Sequence, residues 1–173
     1  EAQQLVGDLL QRVQNMSLTL RPAVLDDFGL LPALEGLFRR YTSQTGVKVV
    51  FERNLAERRF VPELETASYR VVQEALTNVA RHAGVVDVRV RAWAEDGMLG
   101  LEISDRGTGF DAQAVLAAGT STGLPGMRER VLLLRGSLTI RSAPGRGTEL
   151  SIRFPIRGLD RSRGGRHGRA RGS

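Results

Sequence analysis

Three polar residues recur at the spacing of a helix face: Glu74, Asn78 and His82 stand at i, i+4 and i+8 within QEALTNVARHA. That spacing projects them from one common side, beside an apolar stripe of Tyr69, Val72, Leu76, Val79 and Ala83. Downstream lie three glycine-containing turns: Asp105-Arg106-Gly107-Thr108-Gly109, Gly123-Leu124-Pro125-Gly126-Met127 and Gly145-Arg146-Gly147-Thr148. Glycine permits positive φ and a close backbone approach to a ligand, and exposed amides near a helix start suit phosphate oxygens. One glycine turn is usually only a connector; three of them together with a Glu/Asn/His face point to a ligand site. Asp105 opens a D-x-G-x-G run after an apolar strand, a setting that favours a ligand carboxylate over a turn cap. His82 also reads as a residue compensating the dipole of a helix C-terminus, and both readings stay open. Arg128 and Arg130 read as solvated.

The rest of the composition removes whole classes of chemistry. The 173 residues contain no cysteine, so disulfide scaffolds, zinc ribbons, iron–sulfur sites and thiol catalysis are excluded. No G-x-x-x-x-G-K-[ST] occurs, DRGTGF does not open a βαβ unit of the dinucleotide-binding kind, and the H-R-D and D-F-G triplets of protein kinases are absent. The net charge of +6 suggests nucleic acid until it is located. Residues 157–173, RGLDRSRGGRHGRARGS, hold six Arg against Asp160, so +5 of the charge sits there and residues 1–156 carry +1. Such a Gly/Arg/Ser-rich tail buries too little to offset its ordering entropy and is expected to be disordered. No apolar run approaches the roughly 20 residues of a membrane span, and no signal-peptide pattern opens the chain, which reads as soluble and cytoplasmic.

The elements that must position these residues follow from periodicity. Leu5, Leu9, Val13, Met16 and Leu20 make residues 1–20 an amphipathic, bundle-like helix without a start signal, expected to be part of a longer helix ended by Pro22. LDDF is expected to turn, and a second helix to run over about 30–44, with Leu30, Leu34, Leu37 and Tyr41 on its apolar side. VKVVF (47–51) is a short strand. The clearest helix starts at Pro62, carries Glu63 and Glu65 in its first turn, and stops at Gly84 after Arg81 and His82. Strands over 86–94 and 98–104 join at Glu95-Asp96-Gly97 in a hairpin. A short helix or lid (111–119), a polar loop (120–123), a helix (124–136) and two strands (137–142 and 148–154) complete the pattern. Helices with largely antiparallel strands predict an α+β two-layer sandwich with a mixed, mostly antiparallel sheet, preceded by the N-terminal helix.

In order and spacing, QEALTNVARHA (73–83), DRGTGF (105–110), GLPGMRERV (123–131) and GRGTEL (145–150) resemble the N box and glycine boxes of the GHKL ATPases. More closely they resemble the catalytic domain of two-component sensor histidine kinases. LRPAVLDDFGLLPALEGL (20–37) is similar to the connector in the subfamily acting with NarL/LuxR-type response regulators. The likeness covers about residues 1–156. It implies a partial dimerisation helix over 1–21, an ATP-binding catalytic domain over 22–156 and a tail outside the family pattern.

The resemblance further implies roles. Asn78 holds Mg²⁺ against the triphosphate of ATP, and Glu74 orients a water or the metal shell. Arg81 and His82 reach phosphates. Asp105 accepts a hydrogen bond from the exocyclic amine of adenine, with Thr148 supporting it through a water. Gly107 and Gly109 permit the turn; Gly123 and Gly126, with the neighbouring amides of Leu124 and Met127, line the phosphates under a lid of about 111–122. The γ-phosphoryl group goes to a histidine for relay to a response regulator. The only histidines are His82 and His167, and neither stands in the acidic H-[DE] setting of the family's acceptor. The acceptor is therefore expected on a dimerisation helix absent from this fragment, in a parent that forms a homodimer and is either free or membrane-anchored. Two alternatives accompany this reading: a GHKL serine kinase of the anti-sigma type, or a non-catalytic regulatory or nucleic-acid-binding module using the Arg-rich tail.

Overall fold

The computed structural model describes residues 22–55, 58–118 and 123–156. The expected helix over 1–20, the tail 157–173 and the 119–122 part of the lid lie outside the described residues. Pro22 leads into a short helix α1 (Ala23–Phe28), where a turn was expected, and Gly29 ends it at φ 81°. Leu25, fully buried, pulls this helix onto the core. Helix α2 (Leu30–Thr45) buries Leu30, Ala33, Leu34, Leu37, Phe38 and Tyr41, the three-and-four spacing of a one-sided helix, and Gly46 closes it in the left-handed region. Strand β1 (Lys48–Asn54) follows.

Helix α3 (Pro62–Asn78) begins with proline at its first position and acidic residues in its first turn. It was expected to stay α-helical to its stop. Instead its last turn, Val79–Ala83, is a π-helix capped by Gly84 at φ 64°. Strands β2 (Asp87–Glu95) and β3 (Met98–Asp105) form the expected hairpin, with Asp96 and Gly97 both at positive φ as a two-residue turn of that hand requires. Helices α4 (Ala112–Ala118) and α5 (Gly123–Leu133) precede strands β4 (Ser137–Ser142) and β5 (Thr148–Pro155).

The five strands form one sheet in the order β1-β2-β3-β5-β4. Only β1 and β2 pair in parallel, with α3 as their crossover; the other neighbours are antiparallel. Alternation separates the two faces. Val88, Val90, Ala92, Leu99, Leu101, Ile103, Leu150, Ile152 and Phe154 are buried in one core with α1, α2, α3 and α5. The opposite face carries a charged ladder in which Glu52 meets Arg89 at 3.5 Å and Arg91 at 3.3 Å, and Arg91 meets Glu102 at 3.7 Å. Trp93 lies over Gly100 on that face, where a Cβ would collide with the indole. Among the described residues no helix is long and apolar enough to cross a membrane.

One polar joint fastens the segment before the sheet to the helix that carries the site. The Arg59 guanidinium meets the fully buried Glu65 carboxylate at 3.1 Å and donates to the carbonyls of Leu25 at 2.9 Å and Asp26 at 3.2 Å. Glu65 Oε1 also accepts from the Phe60 amide at 3.1 Å, which closes the start of α3. Gly29 belongs to the same joint, since a Cβ there would stand 2.8 Å from the Arg59 side chain. Arg59→Ala is expected to lower the unfolding free energy by about 2 kcal/mol, because a forked charge-assisted contact to a buried carboxylate is lost. Urea denaturation would show this as a lower midpoint at unchanged slope, and Arg59→Lys should recover less than half, since one ammonium cannot replace the fork.

Candidate functional site

Asp105, Thr148 and Ser142 form one row across three strands. Asp105 is the register partner of Thr148 between β3 and β5, and Thr148 of Ser142 between β5 and β4. Opposed residues of antiparallel strands point to the same face, so this polar row shares its side with the apolar row Ile103–Leu150–Ile140 two positions along. A cavity of about 490 Å³ opens between these rows and the end of α3. Its walls are mostly apolar: Ala75, Val79, Ile103, Phe110, Leu124 and Leu150 among them. A few converging polar groups complete it, which is the usual make-up of a small-molecule site.

The glycine turns hold this cavity by bringing backbones together. Gly107 abuts the Ala83 carbonyl at the end of the π-turn, Gly109 the carbonyl of Ala143, and Gly147 the carbonyl of Asp105; a Cβ at any of the three would run into that oxygen. Gly109 and Gly147 also sit at positive φ, 60° and 72°. Hydrogen bonds close the same seams. The Thr108 amide donates to Ala83 O at 3.0 Å and the Gly145 amide to Thr108 O at 2.6 Å. The Thr108 hydroxyl donates to His82 O at 2.7 Å. Asp105 uses Oδ1 to accept from the Gly107 amide at 2.8 Å, which pins the carboxylate at the cavity edge.

Of the residues singled out from sequence, Asn78, His82, Asp105, Gly109, Gly123, Leu124 and Thr148 stand on the cavity wall. Glu74, Arg81, Gly107, Gly126 and Met127 are not among its lining residues. Gly107 is turned to Ala83 and Met127 is fully buried in the core, while Arg81 is exposed. A Cβ at Gly123 would run into the Glu74 carboxylate, which therefore lies at the N-terminal end of α5, a favourable place for a negative charge. Two residues emphasised less in the sequence also shape the site. Thr108 ties the β3 loop to α3, and Ser142 lies behind Thr148, with Oγ accepting from the Phe110 amide at 2.9 Å. The signal for Ser142 was legible: it is in phase with Leu138 and Ile140, hence a polar residue on a core-facing period.

Burial raises the Tyr41 hydroxyl above the usual tyrosine range; the Thr45 side chain opposes this and the charge of Asp105 adds to it. Burial likewise lowers the Arg70 guanidinium from its usual range, with Tyr69 opposing and Arg130 adding. Among the described residues no three His, Asp or Glu side chains gather as a metal cage. A small hard cation that keeps its waters and leans on phosphate oxygens needs only one or two protein oxygens, and the amide of Asn78 on the wall meets that requirement.

Comparison with known proteins places this architecture. Residues 63–158 match the family described as histidine kinase-, DNA gyrase B-, and HSP90-like ATPase. The oxygen sensor histidine kinase NreB of Staphylococcus carnosus (strain TM300) is 39% identical over 152 residues, which cover 88% of this chain and 44% of that protein. The chain thus spans less than half the length of this relative. Among solved structures, the histidine kinase domain of the Erythrobacter litoralis EL346 blue-light activated histidine kinase superposes with a TM-score of 0.62 at 22% identity, over 72% of this chain and 59% of that one. The Acinetobacter baumannii histidine kinase AdeS superposes with a TM-score of 0.63 at 14% identity, over 87% and 80%. These two likenesses establish the fold.

The glycine seams predict a contrast between two alanine substitutions. Gly107→Ala drives a methyl into a backbone oxygen and is expected to cost roughly 1–3 kcal/mol of stability. Gly145→Ala, at φ 74° with open space around it, should cost only about 1 kcal/mol from backbone conformation alone. Paired chemical denaturation curves check the order, and equal losses would refute the close-approach account.

Proposed function

Because the chain belongs to the histidine kinase-, DNA gyrase B- and HSP90-like ATPase family, we propose that it is the ATP-binding catalytic domain of a sensor histidine kinase. The observation that carries this reading is the pairing of Asp105 with Thr148 at one edge of an apolar cavity whose wall also includes Asn78 and His82 of the neighbouring helix. The identity to NreB supports a histidine kinase over a serine kinase of the anti-sigma type. It runs over 152 of the 173 residues and so takes in residues 22–37 of the 20–37 connector as well as most of the ATPase region.

In this reading Asp105 accepts from the exocyclic amine of adenine and Thr148 supports it. The apolar walls take the base by excluding water. Asn78 would offer its amide oxygen to Mg²⁺, and Glu74, one turn earlier, would orient a water or the metal's hydration shell. When bound, Mg²⁺ would supply neutralisation of the phosphate charge. His82 on the cavity wall and Arg81, exposed beside it on the last turn of the helix, would reach the phosphates, while Gly107 and Gly109 keep the base-reading loop in place. The backbone at Gly123 and Leu124, on the cavity wall, would line the phosphates, with Gly126 and Met127 following on the same helix. Positioning and electrostatic stabilisation carry the rate, as is general for phosphoryl transfer.

The nucleophile comes from elsewhere in the parent protein. His82 is followed by Ala83 and His167 by Gly168, so neither has the acidic neighbour of the family's acceptor. The phosphoryl group therefore passes to a histidine on the dimerisation helices of a homodimeric parent, and from there to an aspartate of a NarL/LuxR-type response regulator. Nucleic acid has no part in this reading.

Calorimetric titration of ATP with and without Mg²⁺ tests it. The expected result is Mg²⁺-dependent binding, weakened at least about tenfold by Asp105→Asn, since a hydrogen bond to a charged acceptor is lost. Asn78→Asp should change the metal dependence and weaken Mg²⁺-free binding, since its carboxylate adds a like charge beside the phosphates. A folded chain that takes up no ATP would overturn the proposal.

A further inference from the structure

Ser142 lies behind the row that meets the ligand, and its hydroxyl is in reach of three groups at once. It accepts from the Phe110 amide at 2.9 Å, donates to the Gly147 carbonyl at 2.9 Å, and stands 3.1 Å from the hydroxyl of Thr148. A carbonyl oxygen only accepts and a serine hydroxyl has a single proton, so the proton of Ser142 is committed to Gly147. The contact with Thr148 then has one consistent direction: Thr148 donates and Ser142 accepts. Thr148 has spent its own proton and presents only lone pairs to the cavity.

We propose that Ser142 is a positioning residue for nucleotide selection, which fixes the Thr148 hydroxyl as an acceptor and so requires a hydrogen-bond donor at the 6-position of the base. The proposal rests on the ATP-binding reading and deepens it. The neighbouring Asp105 carboxylate is also an acceptor, with Oδ1 held by the Gly107 amide. Two adjacent acceptors admit a 6-amino purine and reject a 6-oxo purine, whose oxygen would face lone pairs on both sides. A water shared between them changes nothing in the sign. It gives one proton to Asp105 and one to Thr148, leaving a lone pair that again demands a donor from the base. The same Ser142 oxygen holds the Phe110 amide just before α4, so the base-reading row and the start of the lid share one anchor.

The test compares the affinities of ADP and IDP, which differ in the 6-substituent and the N1 proton, in the full 173-residue chain. Wild type is expected to prefer ADP by about 100-fold or more, since a site built for a donor leaves its polar groups unpaired with the wrong partner. Ser142→Ala frees Thr148 to turn its proton toward the cavity, and the ADP/IDP ratio should shrink about tenfold while ADP still binds. Ser142→Thr keeps the hydroxyl and should keep most of the preference. If the alanine variant does not fold, Ser142→Cys nearly retains the volume, weakens all three contacts and should narrow the ratio in the same direction. An unchanged ratio in a folded Ser142→Ala or Ser142→Cys variant that still binds ADP overturns the role of Ser142 and leaves the ATP-binding reading intact. Failure of folded wild type to bind ADP overturns both.

Discussion

The close approach of backbones at Gly107, Gly109 and Gly147 is the constraint on which the rest of the site depends. Each glycine lets one loop rest on a carbonyl of another: the end of α3 at Ala83, the β4–β5 turn at Ala143, and the end of β3 at Asp105. Three segments far apart in the chain thereby become one rim. A side chain at these points would force the segments apart, and the cavity edge between Asp105 and Asn78 would widen with them. The glycines thus act first as packing residues. Whatever contact they make with a ligand is secondary to the shape they hold.

Helix α3 carries that shape through the molecule. Its first turn is fastened by Glu65 to Arg59 and through it to the carbonyls of α1; its last turn supplies Asn78, His82 and the Ala83 carbonyl. The π-turn at 79–83 is the element that reconciles these two ends. A wider turn changes the phase of everything after Asn78, and such turns concentrate at functional sites because the ladder they interrupt frees backbone groups for other partners. Here the freed geometry is used by the loop after β3, with Thr108 bonding to both His82 O and Ala83 O.

Polarity in the site is arranged by donors and acceptors more than by formal charge. Residues 1–156 are nearly neutral, and the ion pairs of the open sheet face lie on exposed side chains where solvent screens them. At the cavity, the aspartate, two hydroxyls and the loop amides fix one another's directions, each spending its donor or acceptor on a neighbour. A rigid assignment of this kind is the general means by which a small number of polar atoms can discriminate between chemically similar ligands.

Much of this was legible in the chain itself. Alternation of Val88, Val90 and Ala92 requires a strand with one buried face, Pro62 and Gly84 punctuate the long helix, and Asp96-Gly97 demands a hairpin, because local sterics and hydrophobic period act over a few residues. The candidate residues Asn78 and Asp105 were likewise visible by type and spacing, and Thr148 came with the resemblance of the glycine boxes. Only the tertiary structure decided that LDDF is helical, since the burial of Leu25 and the reach of Arg59 come from 34 residues away. Only it decided that Glu74 faces Gly123 and that the helix ends in a π-turn. The pairing of Ser142 with the Phe110 amide, 32 residues apart, belongs to the same class. Such contacts are set by where the chain is brought back on itself, and no periodicity within a single element encodes the direction of a hydroxyl whose partners lie on three others.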